Sequence, residues 1–115
     1  MALTPQSAKA KGRRFQQWCR DKILSTFPKL EPDDCRSTSM GASGEDIQMS
    51  PACRRLFPYS VECKNNNKNA IYKVMEQAEA NCPKGATPLA LIKADRHKPL
   101  AVVDAEHFFK LAKRK

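Results

Sequence analysis

Acidic residues are scarce in this chain: 12 Asp and Glu stand against 21 Lys and Arg, leaving a formal net charge of +9 and a sequence pI near 9.6. A one-signed excess of this size favours a polyanionic partner, nucleic acid ahead of an anionic membrane. Long apolar runs are also missing. Nothing approaches the roughly 20 residues that a membrane span needs, and the amino terminus has no apolar stretch of the signal-peptide type, so the expected location is the cytoplasm. Aromatic residues are only 7% of the total, which disfavours a small RNA-binding protein built on aromatic stacking. The five cysteines include no C-x-x-C pair and no His at zinc-ligand spacing, so reduced, mostly buried thiols are expected instead of a zinc site. There is no internal repeat and no low-complexity tract. The 115 residues suffice for one domain with one core and leave no room for a separate cofactor-binding domain. The 41% hydrophobic content is too high for a wholly disordered chain.

What is present is a clear alternation of helical and strand patterns. Residues 1–10 carry no apolar periodicity and read as a flexible basic lead-in to a single domain over 11–115. From Arg13 to about Phe27, Phe15, Trp18, Cys19, Ile23 and Phe27 recur at helical spacing, with Pro28 as the stop. Trp18 is assigned to the core by this stripe. Cys35 to Met40 reads as a short strand, Gly41 to Gly44 as a loop, and Ile47 to Met49 as a second strand. Ser50-Pro51 has the form of a helix cap, opening one or two turns up to Phe57. Tyr59 to Lys64 has the composition of a central strand. A run of asparagines suited to capping precedes a second helix carrying Ile71, Val74, Met75, Ala78 and Cys82. Leu89 to Lys93 and Leu100 to Val103 flank a turn and predict a hairpin, and Asp104 caps a last helix. The order αβββαββα implies an α/β fold, a mixed β-sheet flanked by helices.

Alternation along Tyr59 to Lys64 sends Glu62 and Lys64 to one face and Val61 and Cys63 to the other. A carboxylate and an ammonium on a strand otherwise suited to burial need a partner, because buried charge without one is costly. Asp46 opens the preceding strand, 16 residues earlier, and a hairpin between the two strands would bring both acids together. Mg²⁺ takes hard oxygen ligands, commonly one or two carboxylates with water and phosphate. Asp46 and Glu62 offer these, with the Cys63 carbonyl as a third ligand and Mn²⁺ as a substitute metal. Lys64 beside them suits orientation of the attacking water and balance of charge on a phosphate.

Asp46 followed by Glu62-Cys63-Lys64 at a strand end resembles the D…E-x-K core of the PD-(D/E)xK nuclease superfamily, with Glu45 where that pattern often has proline. Lys11-Gly12 at the first helix, the serine- and glycine-rich approach from Ser37 to Asp46, and the polar turn after E-C-K are similar to Holliday-junction resolvases of the archaeal and phage type. The similarity in element order runs from about Lys11 to Val103. It implies a restriction-endonuclease-like fold, Mg²⁺-dependent hydrolysis of DNA at Asp46, Glu62 and Lys64, a branched DNA substrate, and a homodimer with two active sites. Those resolvases commonly place a glutamate four residues after the glycine of the first helix. Gln16 stands there in this chain, so one well-occupied metal site is expected and a second weak or absent.

Phosphate contacts are expected from Lys11, Arg13, Arg14, Ser37 and Ser39, with Arg54 and Arg55 as further candidates. Gln77 is a secondary site candidate on the second helix, and a solvated role fits it at least as well. Plainer readings exist for the others: Asp46 as a turn acid, Glu62 with Lys64 as a surface ion pair of little energetic weight, Glu45 as a solvated neighbour, and the basic residues as an ordinary charged face. A catalytically degenerate DNA-binding protein on the same fold is the alternative function.

Overall fold

The computed structural model describes residues 4–38 and 44–114. Helix α1, Pro5–Thr26, starts eight residues earlier than the apolar stripe indicates. The Thr4 hydroxyl accepts the Ser7 N–H, and Pro5 occupies the first turn, where its missing N–H costs nothing. Residues 5–10 are therefore helical, not a flexible lead-in, and Lys11-Gly12 lies inside the helix instead of opening it. Phe15, Gln16, Cys19 and Ile23 form its buried face. Trp18, expected in the core, is 44% exposed.

A 3-10 turn, Pro32–Asp34, leads into β1, Cys35–Ser37, which pairs antiparallel with β2, Ile47–Met49. The expected continuation of β1 to Met40, and the loop residues Gly41, Ala42 and Ser43, lie outside the described residues. Ser50 then caps α2, Pro51–Leu56, by accepting the Cys53 N–H. Strand β3, Tyr59–Asn65, is followed by helix α3, Ile71–Ala80, and by β4, Thr87–Lys93, which lies parallel to β3 in the register Tyr59↔Thr87 to Asn65↔Lys93. Strand β5, Leu100–Val102, returns antiparallel to β4 as the hairpin pattern predicts. Asp104 caps α4, Ala105–Lys113.

The fold is α/β, and the short helix expected after Ser50-Pro51 is α2. Instead of one mixed sheet, the strands form two, β1-β2 and β3-β4-β5. Strand β2 takes β1 as its ladder partner, so the expected hairpin between the strands of Asp46 and Glu62 is absent. The six residues of α2 turn the chain away before β3 can fold back on β2.

The larger sheet separates two apolar clusters. On one face, Val61 and Leu89 join Phe15, Cys19, Ile23, Cys35, Ile47 and Cys53 under α1. On the other, Ala90 and Ile92 meet Val74 of α3. The asparagine run does not cap α3, whose cap position Ala70 makes no side-chain bond. It ties the β3–α3 loop to β4 and the turn beyond: Asn67 donates to Asp95 Oδ2 and accepts the Asp95 N–H, while Asn69 donates to the Lys93 carbonyl. All five thiols are unpaired, three of them buried. Burial pushes the Cys35 thiol up to about 12, with the neighbouring Cys53 thiol adding to the shift. Among the described residues no helix is long and apolar enough to cross a membrane.

Candidate active site

Glu62 leaves the α3 side of β3 and is only 3% exposed, whereas Lys64, two residues on, is exposed at the strand end. Asp46 reaches the same strand alone. Its N–H donates to the Val61 carbonyl at 3.2 Å, and its Oδ2 accepts the Cys63 N–H at 2.7 Å. The carboxylate thus gives the edge of β3 an acceptor that a neighbouring strand would ordinarily supply. Within a strand the N–H and C=O of one residue point to the same side, so the Cys63 carbonyl is directed toward this edge as well.

The backbone of Asp46 is held from the opposite side. Its carbonyl accepts the Thr38 N–H at 2.8 Å and Gln16 Nε2 at 2.6 Å, and the same amide nitrogen reaches the Thr38 carbonyl at 3.0 Å. Gly44, at φ +94°, takes the left-handed conformation that brings the chain into Glu45 and Asp46. Glu45 is not a solvated neighbour: Arg54 Nη2 bridges both its oxygens at 2.7 and 2.8 Å, and Arg54 Nη1 donates to the Tyr59 carbonyl. Arg54 is therefore engaged inside the protein and not free for phosphate, whereas Arg55 is exposed.

The Asp46 and Glu62 carboxyl groups lie near enough to affect each other's protonation. Burial pushes Glu62 up to about 7; the neighbouring Asp46 adds to the shift, while Lys64 and the Asn81 side chain oppose it. Burial also raises Asp46, against the pull of the Cys63 N–H and of Lys64. Burial thus favours the protonated form of both acids, and of Glu62 most. Glu62 Oε1 is buried and has no hydrogen-bond partner, a vacancy of bonding that costs about 1–3 kcal/mol until a proton or cation fills it.

This donor set fits a divalent ion of the Mg²⁺ class. The orphaned Oε1, the Asp46 carboxylate and the Cys63 carbonyl are hard oxygens at one strand edge. No group of three His, Cys, Asp or Glu side chains able to hold a metal exists among the described residues. An ion here would complete its shell with solvent and phosphate oxygens, as Mg²⁺ usually does.

The other expected residues divide. Gln16 is buried, and its Nε2 donates to two backbone carbonyls, so it positions Asp46. Gln77 is exposed on α3. Asn81, one turn further along, is the residue at the end of α3 whose side chain opposes the rise in the Glu62 pKa. It continues the buried stripe of Val74 and Ala78 at i+4 and i+7, a periodic signal that sequence reading stopped short of using. Lys11 forms an ion pair with Asp95 at 2.7 Å and its side chain is 12% exposed. Arg13 and Arg14 are exposed on α1, and Ser37 is half-buried in β1. Ser39 lies outside the described residues. His107 meets the Tyr59 hydroxyl at 2.7 Å and anchors α4 to β3.

No family model, no curated protein and no solved structure matches this chain.

Proposed function

We propose that the protein is a divalent-metal-dependent endonuclease of DNA, with Asp46, Glu62 and Lys64 as its catalytic residues and a restriction-endonuclease-like arrangement of its sheet. The observation that carries this reading is the buried, unpartnered Oε1 of Glu62 beside the Asp46 carboxylate, with Lys64 two residues along the same strand. Asp46, Glu62 and the Cys63 carbonyl would hold Mg²⁺ or Mn²⁺. When bound, such an ion lowers the pKa of water and polarises a phosphate oxygen. Glu62 would then give up its proton, leaving both carboxylates charged to hold the ion. The Lys64 ammonium would orient the entering water and balance the negative charge that grows on phosphorus. Water would add to phosphorus with loss of one proton to solvent, the P–O bond to the leaving strand would break, and the leaving oxygen would take a proton from solvent.

The D…E-C-K pattern and its surroundings extend the proposal to branched DNA, and paired incision across a junction further implies a homodimer. Incubation of the protein with synthetic four-way, flap and duplex DNA in Mg²⁺ tests the whole reading. Asp46→Asn, Glu62→Ala and Lys64→Ala are each expected to slow cleavage by about a hundredfold or more. Cleavage that persists unchanged in these variants would refute the assignment.

A degenerate nuclease fold that only binds DNA is the second reading, favoured by one observation: Gln16, whose Nε2 donates to backbone carbonyls, is neutral and adds no third anionic ligand. Tight, salt-sensitive DNA binding without cleavage in either Mg²⁺ or Mn²⁺ would select it.

A further inference from the structure

A pocket of about 420 Å³ opens on the α1 side of the larger sheet, lined by Lys11, Arg14, Trp18, Asn65, Lys93 and Asp95 among others. Its size lies within the range of about 300–1,000 Å³ usual for small-ligand clefts. It sits outside the carboxyl ends of the parallel strands β3 and β4, whose last paired residues are Asn65 and Lys93. Ligands of open α/β sheets bind at such ends. Alternation along β3 turns Asn65 away from Glu62 and Lys64, so this pocket and the paired acids occupy opposite faces of the sheet.

The lining joins cations to an aromatic surface. Lys11 is neutralised by Asp95, which two bonds from Asn67 hold in place. Arg14 and Lys93 enter no ion pair among the described residues, so a net charge of about two positive units faces the pocket. Trp18 stacks on the buried ring of Phe15 at 5.9 Å and 14° and is itself 44% exposed. A tryptophan fixed from below and open above, beside unpaired Arg and Lys, suits a ligand that is aromatic at one end and anionic at the other.

We propose that this pocket binds a nucleotide, the base lying against Trp18 and the phosphate between Arg14 and Lys93. The inference goes beyond the proposed cleavage site and does not need it, because binding here involves neither Glu62 nor a metal. The nucleotide is either free or an unpaired unit of a strand. Base stacking of the second kind is the usual means of gripping single strands.

Trp18 is the only tryptophan in the chain, so its fluorescence reports on ligands that reach this side of α1, and the Arg14 and Lys93 variants assign the signal to this pocket. The full chain is titrated in a chelating buffer with deoxyadenosine monophosphate, with a short single strand, with the matching duplex and with inorganic phosphate. Saturable quenching by the single strand but not the mononucleotide supports the proposal with a strand as the source, and quenching by both supports it with the free nucleotide included. Arg14→Glu and Lys93→Ala, on exposed and half-buried positions respectively, are each expected to weaken binding about tenfold or more. Lys84→Ala, on the exposed α3–β4 turn, is expected to leave it unchanged. Circular dichroism checks that each variant is folded. Absence of quenching by both nucleotide ligands, equal affinity for the duplex, equal response to phosphate alone, or unchanged binding in a folded Arg14→Glu variant would overturn the proposal. Loss of cleavage in Glu62→Ala with quenching retained separates this site from the active site.

Discussion

Glu62 is central to the proposed chemistry, and its proton has a measurable consequence without any substrate. Its carboxyl is pushed up to about 7 from an ordinary 4.5, first by burial and then by Asp46. The folded chain therefore holds this proton more tightly than the unfolded chain. The stability it contributes is fully present below pH 4.5 and is lost as pH rises through 7. In a chelating buffer the wild type is expected to be less stable at pH 8 than at pH 5 by roughly 2–3 kcal/mol from this group. Glu62→Gln cannot ionise and removes that part of the loss. Urea unfolding at the two pH values measures the difference, and equal pH dependence in the two proteins would contradict the burial and pairing of the carboxyl. Added Mg²⁺ is expected to restore wild-type stability at pH 8, since a cation replaces the proton and binds only the folded chain.

At the scale of elements, Asp46 is placed by its neighbours more than by its own strand. Gln16 from α1 and Thr38 beyond β1 hold its carbonyl, and β3 holds its N–H and carboxylate. Gln16→Leu leaves two buried carbonyls short of a donor and is expected to lower stability by about 1–3 kcal/mol. Under the proposed function it also lowers the cleavage rate with little change in DNA affinity, because Gln16 touches no substrate. Denaturant unfolding and single-turnover cleavage separate those two effects. Much at this scale is legible in the sequence. The stripe of Phe15, Cys19 and Ile23 gives α1, the paired apolar runs give the β4-β5 hairpin, and alternation in Tyr59 to Lys64 separates Glu62 from Val61. The approach of Asp46 to Glu62 is legible as a pairing of acids but not in its route, which depends on β2 choosing β1 and leaving one residue for β3. Parallel pairing of β3 with β4 is a long-range choice that local patterns do not encode. The early start of α1 has a local signal, Thr4-Pro5, that apolar periodicity overlooks because the first turns are polar. Trp18 follows the helical period yet lies at the rim of the sheet, where the stripe runs out of surface to cover it.

Across the molecule, positive charge is distributed unevenly between engaged and open groups. Lys11 and Arg54 are held by Asp95 and Glu45, Arg20 lies against Asp21 and the Cys35 carbonyl, while Arg13 and Arg14 stand exposed on α1. If DNA lies along this helix, replacing both Arg13 and Arg14 by Ala is expected to reduce the slope of log affinity against log salt by about 2 units, whatever the DNA sequence. Fluorescence anisotropy at several salt concentrations checks the slope. An unchanged slope would place the anion-binding face elsewhere.

The sulfurs of Cys19, Cys35 and Cys53 are shut into the layer between α1 and the strands, with no exposure to solvent. An alkylating reagent thus has no entry to these three atoms until the helix lifts away, and burial also holds the Cys35 and Cys53 thiols in their protonated form. Incorporation of label at Cys35 then acts as a clock for openings of the native molecule, read without denaturant and with no engineered probe.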